Sequence, residues 1–311
     1  MNPVRNLFGL GICGVVLVGL LACSFADAAV TAPVVKPVAA STAATAASSA
    51  TVTAATAAIA SAQPLTSIAA AVADSRREAT NRLRDQYRHP AQTLAFFDVT
   101  PESKLAEIYP SGGWYAEILA PLLKAKGAYY AVLPWIDPNN KNARVEGQKR
   151  FAAMLAADPV RFDAVRTTSL TPPDHVAITP PGTADHVLTF RNVHNWLADD
   201  SADAMFSAFY TALAPGGILG VVEHRARPGT TLEVMKRSGY VTEAEVVALA
   251  KKAGFDFVAR SDINANPKDT TDHPEGVWTL PPSYALGDKD RAKYQAIGES
   301  DRMTLKFVKP R

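Results

Sequence analysis

The sequence predicts an α/β fold: a doubly wound, mostly parallel, seven-stranded sheet with helices on both faces. Three observations predict it. From residue 104 onward, short apolar runs alternate with longer stretches of helical character. The segment from Leu105 to Leu123 reads as a buried strand, an acidic residue, a tight glycine-containing turn and a helix. Farther along, Pro215-Gly216-Gly217 separates a helix from another apolar strand. A sheet of this kind binds ligands at the carboxyl ends of its strands, near the point where strand order reverses.

The elements follow in order. Residues 74–88 are expected to form a helix carrying Arg76, Arg77, Arg82, Arg84 and Arg88 on solvated faces, limited by Pro90. Residues 92–97 form a second, short helix. A strand is expected over 104–109, a helix over 114–124, a strand over 128–133 and a helix over 142–157. A weak strand covers 162–168. A clear strand covers 185–190, following Pro180-Pro181-Gly182. A helix over 201–214 ends at the Pro-Gly-Gly turn, and a strand follows over 218–223. The helix over 242–253 opens with Thr242 and Glu245, a capping box, and closes at Gly254. Strands over 255–261 and 303–308 end the chain.

The 311 residues carry 48% hydrophobic side chains and a net charge of +2. That length and content suffice for one large domain, and the charge supplies no basic field for a nucleic-acid partner. The first 28 residues have the parts of a secretory signal peptide: Arg5, an apolar run from Leu7 to Ala22 and the small-x-small end Ala26-Asp27-Ala28. Leu20-Leu-Ala-Cys23 also resembles a lipobox, giving a lipoprotein signal over 1–22. Both processing routes stay open, and each implies export to the periplasm or an envelope anchor, with membrane contact only through an N-terminal lipid. Cys13 and Cys23 are the only two cysteines, so the folded part has no thiol chemistry. Residues 29–73 are almost entirely Ala, Thr, Ser, Val and Pro, too poor in large apolar groups to order themselves, and are expected to be a tether. The domain proper is placed at 74–311. Oligomeric state is left open.

Glu107 ends the first strand, where a carboxylate can meet a ligand ammonium or order the turn. Gly112 and Gly113 allow close backbone approach. His194 and His224 follow strand ends on the ligand face and are the candidate catalytic residues. Asn192 is a candidate for hydrogen bonding a ligand. The long polar loop over 264–282 is expected to be a substrate lid carrying Asp269, Asp272 and His273; their spacing matches no metal signature, and no metal is expected.

Three segments together carry a resemblance. Glu107 to Gly113 with its following helix is similar to the first motif of class I S-adenosylmethionine-dependent methyltransferases. Ala184 to Trp196, with its Arg-Asn-Val, is similar to the strand-four region of small-molecule members, and Leu213-Ala-Pro-Gly-Gly-Ile-Leu219 to the segment before strand five. The chain most resembles a bacterial group of predicted methyltransferases with a Glu-Ile-aromatic-Pro-x-Gly-Gly-Trp-Tyr loop. The resemblance spans residues 75–311 and implies S-adenosyl-L-methionine as cofactor and methyl transfer to a small or lipophilic acceptor. It places Glu107, Tyr109, Ser111, Gly112 and Gly113 around the cofactor, with Asp137 nearest the ribose hydroxyls and Asn192 toward cofactor or substrate. Ser169 or Asp174 is the candidate for the adenine amine. The common turn has three alternate glycines, whereas Tyr109 and Ser111 stand at the first two of those positions here. The competing expectation is a non-catalytic envelope ligand-binding protein that retains the fold. A nicotinamide-dependent oxidoreductase shares the architecture but not the Pro-Gly-Gly and Arg-Asn-Val marks.

Overall fold

A computed structural model describes residues 65–136 and 143–311. The export segment, Cys13, Cys23, most of the tether and Asp137 lie outside the described residues.

The strands are β1 (Lys104–Ile108), β2 (Ala128–Leu133), β3 (Arg166–Thr171), β4 (His175–Ala177), β5 (Ala184–Phe190), β6 (Leu213–His224), β7 (Asp256–Ser261) and β8 (Arg302–Val308). They form one sheet in the order β4-β3-β2-β1-β5-β6-β8-β7. The inner strands pair in parallel, and β8 runs antiparallel to both β6 and β7. This is the doubly wound sheet expected, with β4 as an eighth strand added antiparallel to the β3 edge. Strand order reverses between β1 and β5, which fixes where a ligand can enter.

Alternation along β1 sends Ala106 and Ile108 to one core layer and Leu105 to the other. One layer holds Trp196, Phe206, Phe209 and Val246 beneath the helices Val193–Ala198, Ala202–Ala212 and Glu243–Lys252. The opposite layer holds Leu94, Phe97 and Leu119 beneath Pro90–Phe96 and Ala116–Leu123. Thr242 caps its helix as expected, its hydroxyl accepting from Glu245 N at 3.2 Å.

Three expectations change. Residues 74–88 form two single turns, Ala79–Arg82 and Asp85–Arg88, rather than one helix. Their arginines are not all solvated: Arg77 and Arg88 are buried. Arg77 donates to both oxygens of Asp85, at 2.7 and 2.8 Å, a bidentate fork that local helical hydrogen bonding does not offer. Residues 68–73, read as the end of the tether, form the helix Ile68–Ala73. Ser67 caps it, and Ala71 is wholly buried against the helical layer. The third strand starts later, at Arg166, because Asp158 and Pro159 open the helical turn Pro159–Phe162 first.

The N-terminal segment and the last strand meet on Glu299. Arg84, Arg88 and Arg302 reach its carboxylate at 2.6, 3.2 and 3.2 Å. Burial alone would raise the Glu299 pKa, but the charges of Arg88, Arg302, Arg84 and Arg191 outweigh it and bring it to about 2. A carboxyl depressed in the folded state contributes stability above its unfolded pKa and loses it as pH falls through the folded value. Glu299→Gln is therefore expected to cost about 3 kcal/mol at neutral pH. It should also flatten the loss of stability between pH 4.5 and 2, as read from urea melts across that range.

Candidate functional site

The turn after β1 sits at the strand-order reversal. Tyr109, Ser111 and Gly113 have φ values of 55, 54 and 82°. All three positions where the resemblance expects glycine thus keep a left-handed backbone, although two carry side chains. Such a conformation costs a non-glycine residue about 1 kcal/mol. At Tyr109 the cost is met by contacts: its hydroxyl donates to Leu170 O at 2.7 Å and its ring packs edge-on against Trp196. Ser111 and Gly112 are exposed. At Gly113 a Cβ would stand 2.6 Å from the Met154 sulfur and 3.3 Å from the Phe151 ring, so the helix Ala143–Ala157 packs directly on the turn.

A cleft of about 250 Å³ opens at this turn. Tyr109, Ser111, Leu133, Pro134, Gln148 and Asn192 line it, so it lies at the carboxyl ends of β1, β2 and β5. The Gln148 amide donates to the Pro134 carbonyl, tying the helix Ala143–Ala157 to the cleft mouth. Asn192 donates to Ile108 O at 3.0 Å and to Thr189 Oγ1 at 3.2 Å, which joins β1 to β5 at the cleft. Ser169 pairs in register with Leu133, and its Oγ is buried without a hydrogen-bond partner among the described residues.

Glu107 does not line the cleft. It is buried below the turn and accepts from the Tyr129 hydroxyl at 2.6 Å. Burial raises its pKa to about 7, against the pull of Tyr129, Arg191 and Arg88. Through Tyr129 it ties β1 to β2.

His194 and His224 come together, as their strand ends implied. Their ring centroids are 5.3 Å apart. Glu223, which sequence reasoning missed, organises them. Its carboxylate contacts His194 Nδ1 at 3.0 Å and accepts from His224 N at 2.8 Å and His194 N at 3.3 Å. Glu223 is fully buried; the signal for it is a carboxylate closing the apolar run Val221-Val222. With Nδ1–H donated to that carboxylate, the His194 tautomer leaves Nε2 as a base. His224 Nδ1 lies 2.6 Å from Ser300 Oγ. Burial holds His224 well below the ordinary histidine range, and the charges of His194, Arg191, Arg302 and Arg88 add to this.

The lid expectation changes in its residues. Asp269 accepts from Tyr240 Oη at 2.9 Å, Asp301 N at 2.8 Å and Thr271 N at 2.9 Å, and contacts His273 Nε2 at 2.8 Å. Asp269 and His273 thus fasten the loop to the domain. Asp272 only accepts from Thr270 on the loop surface. It is Trp278 that reaches the histidine pair, edge-on to His194 at 5.9 Å.

Two predictions follow from the turn. Ser111→Gly is expected to raise stability by about 0.5–1 kcal/mol, because an exposed side chain loses only its backbone penalty. Gly113→Ala is expected to lower stability by at least about 2 kcal/mol, because both φ and Met154 oppose it. Denaturant melts measure both. Carbon-13 NMR titration of labelled glutamate should place the Glu107 midpoint near 7. Its folded pKa lies above the unfolded value, so its stabilising contribution is complete below pH 4.5 and lost as pH rises through 7.

No family model and no curated protein matches the chain. The chain is similar to several solved structures over most of its length. A SAM-dependent methyltransferase of Aquifex aeolicus is 12% identical, with a TM-score of 0.48 over 72% of this chain and 92% of that one. N,N-8-amino-8-demethyl-D-riboflavin dimethyltransferase of Streptomyces davawensis is 17% identical, with a TM-score of 0.43 over 74% of this chain and 56% of that one. The cyclase SpnF is 17% identical, with a TM-score of 0.46 over 76% and 84%. At these identities and TM-scores the likeness assigns no role; the doubly wound sheet rests on the strand order and pairing of this chain.

Proposed function

We propose that the protein binds S-adenosyl-L-methionine in the cleft at the strand-order reversal and transfers its methyl group to a small acceptor. The observation that carries this reading is the turn over Tyr109–Gly113, which keeps three left-handed residues at the cleft although only one of them is glycine. A second observation bears on the fit. Ser169 Oγ, buried and unpaired beside Leu133, is a group that an adenine amine would satisfy. The backbone of the turn and Asn192 would hold the rest of the cofactor. Leu133-Pro134-Trp135 carries no carboxylate for the ribose hydroxyls, and that role falls to no described residue.

When bound, the cofactor supplies a sulfonium-activated methyl group. The chain's part is to align the acceptor and to keep water out. His194, oriented by Glu223, accepts the proton of a hydroxyl or acidic-carbon acceptor. Trp278 covers the histidine pair from the loop side. The N-terminal segment supports action in the cell envelope.

A non-catalytic ligand-binding role is the second reading. It is favoured by Tyr109, whose side chain is fixed to Leu170 and Trp196 within the turn where the resemblance expects glycine.

Isothermal titration with S-adenosylhomocysteine tests the cofactor claim. One-to-one binding is expected, and Asn192→Ala should weaken it about tenfold, the worth of one hydrogen bond. No heat at millimolar ligand sinks the proposal. A methyl-transfer assay against envelope extracts separates the two readings. Turnover reduced about 10²-fold by Glu223→Gln, with cofactor affinity unchanged, supports catalysis. Binding without turnover supports the second reading.

A further inference from the structure

We infer that the molecule taken beside the histidine pair is an anion, bearing a carboxylate or phosphate whose charge Arg191 meets. That this anion is the methyl acceptor rests on the proposed function; the anion site itself does not.

Arg191 leaves β5 with a φ of 61°, its backbone N–H donating to Val222 O at 2.7 Å. This left-handed exit sets the side chain next to Asn192 of the cleft. The residue is half-buried, and no hydrogen bond or ion pair holds its guanidinium among the described residues. Register places Phe190 beside Val222 and His224 beside Arg302. Arg191, His224 and Arg302 therefore follow one another across the ligand end of the sheet.

The charges around this row do not balance. Arg84, Arg88 and Arg302 already share the single carboxylate of Glu299. Glu223 is engaged by His194 and two backbone N–H groups. Glu107 is partly protonated near neutrality. The charge of Arg191 is felt by Glu107, Tyr115, His224, Glu299, Arg88 and Arg302, so it stands among buried groups and not out in water. An unpaired guanidinium beside two buried ones is unfavourable until an anion joins it, and its planar fork suits carboxylate and phosphate oxygens.

The same charges decide against the obvious rival. His194, Glu223 and His224 offer ligand atoms within 4.8 Å of one another, a set that could take a metal ion. Arg191, Arg302 and Arg88 act on His224 from the surroundings and repel a cation there as they attract an anion.

The test titrates the full chain with benzoate, with inorganic phosphate and with zinc chloride, by calorimetry and thermal shift. Saturable one-to-one binding of benzoate or phosphate is expected, and the stronger of the two names the anion class. Arg191→Gln should weaken that binding at least about tenfold, and Arg191→Lys, which keeps the charge but loses the planar fork, should weaken it by less than Arg191→Gln does. Lys126→Gln, exposed before the amino end of β2 and so at the opposite end of the sheet, should leave it unchanged. Absence of saturable anion binding overturns the inference, as does binding indifferent to Arg191→Gln in a variant that melts like the parent. Tight zinc binding lost in His194→Ala overturns it in favour of a metal site. Anions displaced by S-adenosylhomocysteine overturn it by assigning Arg191 to the cofactor's carboxylate. Anion binding that persists where S-adenosylhomocysteine does not bind sustains the site and sinks only the methyl-transfer reading.

Discussion

The grip of Glu299 on three guanidinium groups is the interaction on which the ligand end of the molecule depends. Arg84 and Arg88 come from the segment before the sheet, and Arg302 opens its last strand. One carboxylate thereby ties the segment before β1 to the last strand. It does so beside His224, whose strand pairs with the one that Arg302 opens. Trp114 adds to the clamp, with Arg88 lying 4.7 Å over its ring. A buried carboxylate shared this way is stabilising only while all its partners are present; losing any one leaves a charge without compensation. The floor of the site is rigid for that reason.

Above that floor the site divides by strand. The ends of β1, β2 and β5 make the cleft, and the ends of β5 and β6 make the histidine pair. The exit of β5 serves both, through closely spaced residues with different contacts. Arg191 carries charge, Asn192 stitches β1 to β5, and His194 meets Glu223. The cleft and the histidine pair are thus adjacent because a single strand end turns into the helix Val193–Ala198 between them.

Much of this was legible in the sequence. The strand and helix alternation is written in burial periodicity, so the sheet and the Thr242 cap were readable; Pro215-Gly216-Gly217, read as a turn before the strand, instead lies inside β6 where its register with β5 shifts. His194 and His224 were readable because both follow strands whose ends must converge. Glu223 was not singled out, since a single carboxylate after two valines has no periodic signature, and its role comes from backbone N–H groups supplied by two elements. Arg77 and Arg88 looked solvated because their partners, Asp85 and Glu299, stand 8 and 211 residues away. Asp269 looked like a ligand group because polarity in a loop is the same letter whether it faces solvent or ties the loop down.

The turn over Tyr109–Gly113 carries a consequence for how such proteins are recognised. Its identity resides in three dihedral angles rather than in three letters. A pattern of alternating glycines passes over this chain, while a pattern of alternating positive φ finds it. Side chains at positions 109 and 111 then add surface to that backbone path, and each gives the cleft a shape and polarity that glycine cannot. Substitution at these two positions therefore reshapes the cleft lining without the strand or the helix on either side having to move.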